Sequence, residues 1–354
     1  VVKEGYAFDE GLFSGYDESK RSYDRSSWEY EFGSDGFAVR DMTLENPRCV
    51  FQLMKRHFSR YTPELVARVS GTPSPRFLKV CEWVASTANG ERAMTIMYAL
   101  GWTQHSHGAQ NIRTAAMIQL LCGNIGIPGG GVNALRGHSN VQGDRTMGIW
   151  EQPSEAFLDR LAAEFPTVDV PRRHGLDVAD AIAAFMDGRA RTLFCLGGNF
   201  LRAIPDTAAA EEAIGRCRLT VHVSTKLNRS HAICGDTALI LPTLGRTERD
   251  RQLGGDQFVT VEDSMGKVHR STGVLQPASP HLRSEMAIVT GVAEALLGRS
   301  SGIDWAAFRH DYSVVREHIS RVVSGFEDFN ERIVSPAGFE LPHPPRDHRT
   351  FPTP

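Results

Sequence analysis

Thr95-Ile96-Met97-Tyr98-Ala99-Leu100-Gly101-Trp102-Thr103-Gln104-His105-Ser106-His107-Gly108 is the stretch that decides the fold class. Ala93 to Tyr98 reads as a short strand. A helical pattern begins at about Ala109 and runs to Leu121, with Ile112, Ala116, Met117, Leu120 and Leu121 on one face. A polar, glycine-containing loop joins the two. Strand, loop and helix in this order build parallel sheets, which present ligands beyond the carboxyl ends of their strands.

The unit recurs downstream. A helix from Asp177 to Asp187 turns Val178, Ala181, Ile182 and Phe185 inward, and Gly188 stops it at the C-cap position. Thr192 to Leu196 reads as a strand opening into Gly197-Gly198-Asn199-Phe200, and Thr207 caps a helix running to about Cys217. Leu219 to Val223 is the next strand, opening into Ser224-Thr225-Lys226-Leu227-Asn228-Arg229-Ser230. Ala238 to Leu241 is a third, stopped by Pro242. The alternation predicts an α/β fold with a mainly parallel, doubly wound sheet.

Upstream, Thr62-Pro63 pairs a capping hydroxyl with proline at the first helical position. From Pro75, the residues Phe77, Val80, Cys81, Val84 and Ala85 mark one face of a helix that Asn89-Gly90 ends. Residues 1–47, with Gly5, Gly11, Gly15 and Gly33, show no sustained period and read as irregular. Toward the other end, Ser301 to Val323 reads as one helix. Beyond it Pro336, Pro342, Pro344, Pro345, Pro352 and Pro354 predict a linker or extended strap without regular structure.

At 354 residues the chain exceeds the usual span of one core, so two domains are expected. The formal net charge of -3 argues against a nucleic-acid partner, which needs a basic surplus. No stretch approaches the length of a membrane span. Cys49, Cys81, Cys122, Cys195, Cys217 and Cys234 contain no C-x-x-C pair, so zinc-ribbon and ferredoxin-like spacing are excluded and buried, reduced thiols are expected. The start at Val1 and the end at Phe351-Pro352-Thr353-Pro354 read as those of an excised segment.

Three groups could carry chemistry. Gly129-Gly130-Gly131 allows a sharp turn with exposed amides, and Arg136 just beyond offers a planar fork suited to a small carboxylate. Read alone, the first serves equally as a flexible turn and the second as an ordinary surface cation. His138-Ser139-Asn140-Val141-Gln142-Gly143-Asp144-Arg145 is unusually polar for a connection, yet could be only a hydrogen-bonded turn. The loops at Gly197-Gly198-Asn199 and Ser224 to Arg229 should share one sheet edge, where amides, hydroxyls, Lys226 and Arg229 suit a pyrophosphate-bearing nucleotide. His105, His107 and His138 lack a carboxylate or cysteine at ligand spacing, and no metal site is read from them.

Tyr98 to Ser106, Gly123-Asn124-Ile125-Gly126 and Gly131 to Asn140 together resemble the large subunit of respiratory, membrane-attached formate dehydrogenases, as does Glu10-Gly11-Leu12-Phe13-Ser14-Gly15-Tyr16-Asp17. From about Arg136 onward, Arg136 to Thr146, Val223 to His231 and Pro280-His281-Leu282-Arg283-Ser284-Glu285 resemble the soluble formate-dehydrogenase-like oxidoreductases linked to acid resistance. Both groups belong to the molybdopterin bis-guanine-dinucleotide (dimethyl sulfoxide reductase) superfamily. The resemblance covers almost the whole chain.

It implies two Rossmann-like, doubly wound domains, without the superfamily's N-terminal iron–sulfur and C-terminal β-barrel domains. The expected divisions are residues 1–137 (the C-terminal part of an α/β domain after an irregular segment), 138–295 (a Rossmann-like domain binding the guanine dinucleotide) and 296–354 (a helical, proline-rich tail). Leu100, Gly101 and Gln104 match the loop facing one pterin dinucleotide. Arg136 matches the catalytic arginine that orients formate beside the metal, with His138, Asn140 and Gln142 as its neighbours. Gly197, Asn199, Ala203, Ser224, Thr225, Lys226, Arg229, Thr243 and Glu285 would face the second dinucleotide. Ser224-Thr225 stands where the formate enzymes carry Gln-Asp, and Glu285 where they carry aspartate.

The implied cofactor is molybdopterin guanine dinucleotide with molybdenum or tungsten, and a [4Fe–4S] centre is expected only in an N-terminal region absent here. No Cys precedes a His, so the family's metal-ligating pair is also missing and the segment alone is expected to be inactive. The implied activity of the complete enzyme is two-electron oxidation of formate to carbon dioxide, passed to an iron–sulfur electron-transfer subunit in the cytoplasm or alternatively the periplasm. The rival expectation is a non-catalytic α/β module that binds a nucleotide or a partner protein.

Overall fold

The structure is a computed structural model that describes residues 1–3, 8, 9, 12, 13, 15–24, 26 and 28–348. Gly5, Gly11, parts of the Glu10–Asp17 stretch and all of Phe351–Pro354, with Pro352 and Pro354, lie outside the described residues. By its internal contacts the chain forms two compact units. One is residues 1–94 with 121–124, and the other is 95–120 with 125–354. Both expected divisions, at 137/138 and 295/296, fall inside the second unit.

In the first unit the chain runs through short paired segments into helices α1 (Val50–Phe58), α2 (Pro63–Ser70) and α3 (Ser74–Ala85). The Thr62 hydroxyl accepts from the Leu65 amide at 3.2 Å with Pro63 in the first turn, as the sequence predicts, and Gly71 closes α2 at φ 72°. The predicted apolar face of α3 is not a buried one. Phe77 and Val84 are half-covered, whereas Val80, Cys81 and Ala85 are exposed, and no residue of α3 is buried. Spacing defines a face, but only a packing partner buries it, and α3 packs against the short helix α2. Asn124 is fully buried and donates to Thr87 Oγ1 at 3.0 Å while accepting from the Met94 amide at 3.1 Å.

The second unit begins with β1 (Thr95–Tyr98), a single-turn helix α4 (Leu100–Thr103) in place of the expected open loop, α5 (Gly108–Leu121) and β2 (Gly131–Ala134). β1 and β2 pair in parallel, with Tyr98 opposite Ala134. α5 buries Gly108, Ala115 and Gln119 and leaves Met117, Leu120 and Leu121 exposed, so the expected face is rotated. The Gln119 amide explains part of that rotation, because it donates to the Gly131 carbonyl at 2.5 Å. Next come α6 (Val141–Thr146), α7 (Glu155–Glu164) and α8 (Val178–Met186). Asp177 caps α8, and Ala184 and Phe185 are buried, but Val178 is 51% exposed where an inward position was expected.

β3 (Thr192–Leu196), α9 (Phe200–Ala203), α10 (Thr207–Gly215), β4 (Leu219–Ser224) and β5 (Thr237–Pro242) complete the repeated pattern. The three strands form a parallel sheet in chain order, Leu196 opposite Val223 and Ser224 opposite Pro242. Residues of α8, α10 and β3 pack into one core cluster around Phe185, Ala213 and Cys217; Leu201, Ala210 and Ile214 centre another. The cap of α10 is Asp206, in the left-handed conformation, rather than Thr207. A carboxylate accepting from the Ala209 amide fixes that turn.

An antiparallel hairpin, β6 (Val259–Glu262) and β7 (Lys267–Ser271), was not anticipated from the sequence. After α11 (Glu285–Leu297), the expected single helix is two, α12 (Trp305–His310) and α13 (Tyr312–Val322), divided at Asp311. Asp311 turns to extended backbone and caps the Ser313 amide at 2.9 Å, ending one helix and starting the next. The chain closes with α14 (Phe329–Arg332), β8 (Phe339–Glu340) and α15 (Pro344–His348). The late prolines therefore do not prevent regular structure. β8 joins β7, and Val322, Val323, Phe326, Phe329 and Ile333 make a core with Val268. Of the described prolines in the tail, Pro336 and Pro342 fall in connections and Pro344 and Pro345 open α15, where a missing N–H costs nothing.

Candidate functional site

Strand direction brings the first two candidate loops together. β1 and β2 run parallel, and the Leu135 amide donates to the Tyr98 carbonyl at 2.7 Å, so Leu100 to Gln104 and Leu135 to Asn140 leave the same sheet edge. Leu100, Gly101 and Gln104 are exposed. Tyr98 and Trp102 stack with centroids 6.4 Å apart, and a His105 ring nitrogen hydrogen-bonds the Gly101 carbonyl at 2.7 Å. That contact folds the loop on itself and gives His105 a structural role.

Arg136 lies exposed in the loop after β2, with Nη2 donating to Gln142 Oε1 at 2.7 Å. Gln142 is on the first turn of α6, and that helix packs against β6. Asn140 anchors the junction: its Oδ1 accepts from the Glu262 amide at 2.9 Å, its Nδ2 donates to Asp144 at 3.2 Å, and its own amide donates to His138 Nδ1 at 3.1 Å. Asn140 is thus bonded from both ends of its side chain. The Ser264 hydroxyl adds a bond to the Ala134 carbonyl at 2.6 Å.

Beneath Arg136 is a residue that sequence reasoning missed. Glu262, the last residue of β6, is 6% exposed, and its Oε2 has no hydrogen-bond partner among the described residues. Burial pushes its carboxyl up. The Thr146 hydroxyl and the Gln142 amide pull it down, Asp263 pushes up, and the Arg136 charge pulls down. The net direction is upward. Valine alternation across Asp263-Ser264-Met265-Gly266, with Gly266 at φ 76°, was the overlooked hairpin signal.

The loops after β3 and β4 are laced together. Asn228 Nδ2 donates to the Gly198 carbonyl at 2.8 Å, and the Ser230 hydroxyl donates to Asn199 Oδ1 at 3.1 Å. Gly197 and Gly198 adopt φ 70° and 75°, and a Cβ at either would meet nothing within 4 Å. Their backbone therefore faces open space, as a phosphate turn requires. Ala203, Thr225 and Lys226 are also exposed. Three expected contacts are otherwise engaged. Arg229 pairs with Glu211 at 2.6 Å, Ser224 is buried at the end of β4, and the buried Thr243 hydroxyl donates to the Arg283 carbonyl at 2.8 Å. Glu285 opens α11, exposed, after the Ser284 cap.

Arg246 ties the two loop groups. Its Nη1 donates to the Ser139 hydroxyl at 2.6 Å and its Nε to Ser271 Oγ at 2.8 Å, while Thr243, three residues earlier, donates from its amide to the Ser224 carbonyl at 3.2 Å. The loops after β2, β4 and β5 are thus tied to one another, in chemistry rich in amides and cations. A separate hollow of about 670 Å³, lined by Trp150, Phe157, Arg160 and Val323, shares only Arg145 and Thr146 with α6. Among the described residues no three His, Cys, Asp or Glu side chains gather as metal ligands, and no helix is long and apolar enough to cross a membrane. Cys81 and Cys234 are exposed, contrary to the expectation of buried thiols; Cys49 and Cys217 are buried, and none of the six is in a disulfide.

A family model described as molybdopterin oxidoreductase matches residues 46–277. An uncharacterised oxidoreductase of Mycobacterium tuberculosis (strain H37Rv) is 51% identical over 270 residues, which is 76% of this chain and 34% of that protein. Protein YdeP of Escherichia coli (strain K12) is 45% identical over 276 residues, 78% of this chain and 36% of its own length. The nitrate-inducible formate dehydrogenase major subunit of the same strain is 60% identical over 158 residues, 45% of this chain and 16% of its own length. The chain thus spans about a third of the first two relatives.

Proposed function

Because this chain belongs to the molybdopterin oxidoreductase family, we propose that it provides the anion-orienting arginine and part of the cofactor cradle of a formate dehydrogenase-like enzyme. The observation that carries this reading is Arg136: an exposed guanidinium beyond the carboxyl end of a parallel strand, its orientation fixed by Gln142. One nitrogen is engaged by the amide. The remaining N–H groups present a fork of the width of a carboxylate, the geometry in which arginine binds formate-like anions.

The residues fit a large phosphorylated cofactor in part. Open backbone at Gly197-Gly198, with Asn199, Ala203, Thr225 and exposed Lys226 beside it, suits the phosphates and ribose of a guanine dinucleotide. Leu100, Gly101, Gln104 and His138 would face a second one, with Glu285 near a base. Ser224, Thr243 and Arg229 hold these loops in shape and would not touch the cofactor. Bound there, molybdopterin guanine dinucleotide with molybdenum or tungsten supplies the two-electron chemistry. This chain's part is to bind, orient and balance the charge of the substrate.

The test is Arg136→Ala in the protein that carries this chain, assayed for formate oxidation with an artificial electron acceptor. Loss of one charge-assisted clamp predicts a fall in kcat/KM on the order of 100-fold or more. Guanine nucleotide released on acid hydrolysis should be unchanged, because the Arg136 guanidinium is not among the groups assigned to either dinucleotide. Undiminished formate oxidation would overturn the role given to Arg136, whereas an unsubstituted protein with neither formate oxidation nor bound guanine nucleotide would leave the non-catalytic module as the better account.

A further inference from the structure

Glu262 has no place in the function proposed above, yet its situation is unusual. It is a carboxyl buried under the anion loop, with its backbone clamped by Asn140 and one oxygen without a partner among the described residues. Of the charged groups on the elements around it, Arg246 is engaged by the Ser139 and Ser271 hydroxyls, and β7 carries Lys267 and Arg270, the latter donating to the Val334 carbonyl at 3.2 Å. Arg136 comes from the loop above. Asp263 follows on its own strand, where His269 of β7 and the Lys267 and Met265 amides hold its carboxyl below the usual range against its burial. Asp144 on α6 receives the Asn140 amide, Arg145 pairs with Glu151 at 3.8 Å, and His138 accepts from the Asn140 backbone. Arg136 is therefore the cation of the anion loop that acts on Glu262, and Gln142, which accepts from Arg136 at 2.7 Å, also draws the Glu262 carboxyl down.

We propose that Glu262 is the proton-accepting positioning residue of the Arg136 anion site, so that seating a small oxyanion on the guanidinium draws one proton from solvent onto the Glu262 carboxyl. This rests on the reading of Arg136 as an anion-binding group. The physical ground is competition for one positive charge. With the site empty, Arg136 stabilises the Glu262 carboxylate; an arriving anion offsets that charge, and a buried carboxylate left without it takes a proton. The balance is complete: the anion keeps its charge, the proton comes from bulk water, and anion departure returns it. By linkage, whatever proton uptake favours, low pH favours too, so the anion binds more tightly as pH falls toward the carboxyl's own range.

The experiment is calorimetric titration of sodium formate, and of sodium nitrate as an anion that does not itself titrate, into the protein that carries this chain. It is run from about pH 5 to pH 8, upward from the ordinary carboxylate range, in two buffers of different ionisation enthalpy. The expected result is proton uptake approaching one per anion and an affinity that weakens by up to about tenfold per pH unit. In Glu262→Gln both the uptake and the pH dependence vanish while binding persists. Glu262→Asp, which keeps an acid but withdraws it, shifts the pH of uptake and serves if the glutamine variant does not fold. Wild-type binding without proton uptake, or uptake unchanged in either variant, overturns the proposal. Anion binding unchanged in Arg136→Ala sinks instead the reading beneath it, which keeps the two failures distinct.

Discussion

The Arg136 loop and the Gly197-Gly198 turn lie at strand ends of one unit, but they are built on opposite principles. Around Arg136 the work is done by side chains: a guanidinium, an amide bridge, a doubly bonded asparagine and a buried carboxyl. At the glycine turn it is done by backbone, with two left-handed residues opening onto space and Asn228 and Ser230 stitching the neighbouring loop to them. The nearby arginine there is already neutralised by Glu211. On the proposed function one region would recognise charge and the other shape, so they should fail under different substitutions.

The sharpest way to break the contrast is Gly143→Ala. Alanine in a helix is ordinarily worth about 1 kcal/mol over glycine. Here a Cβ would strike the side-chain amide of Asn140, which is bonded at both ends and cannot swing aside. Displacing it strands the Glu262 N–H, at about 2 kcal/mol, and breaks the bond to Asp144, at about 1 kcal/mol more, so the sign reverses. Thermal melting should show a net loss of about 2 kcal/mol, with weakened formate binding and cofactor content unaltered.

A smaller effect is expected in the other region. Asn228→Ala removes the bond to Gly198 and the cap of the turn at Arg229–His231, costing about 1–2 kcal/mol. Guanine nucleotide content should drop while the KM for formate in the loaded fraction holds. If the KM moved as well, the two regions would not be independent. Smallest of all, Gly198→Ala places a Cβ on left-handed backbone in open space, a strain of about 1 kcal/mol with no clash. Equal cofactor content in that variant would show that the turn needs room for a ligand less than the open backbone implies.

The sequence was legible where a local signal settles local structure. The strand at Thr192–Leu196, the Thr62-Pro63 helix start and the Asp177 helix fall where their patterns put them. Legibility failed where a distant segment decides. The buried face of α5 turns on Gln119 reaching Gly131, and the tail is ordered by Phe326 and Phe329 packing on Val268 of the hairpin; neither can be read from spacing. The candidate site divides in the same way. Arg136 and Gln142 were singled out as residues, but the carboxyl beneath them belongs to a hairpin 120 positions on, and burial alone makes it matter. Conversely, Arg229 and Thr243 looked available by type and are engaged by Glu211 and Arg283.

Arg246 holds Ser139 from 107 positions away, and Asn140 and Glu262 meet across 122. Contacts of such range form only after the intervening chain has lost most of its freedom, and loop closure of that kind slows folding. The anion loop should therefore be among the last parts of its unit to become protected from amide exchange during refolding, well after the local helix-and-strand repeats.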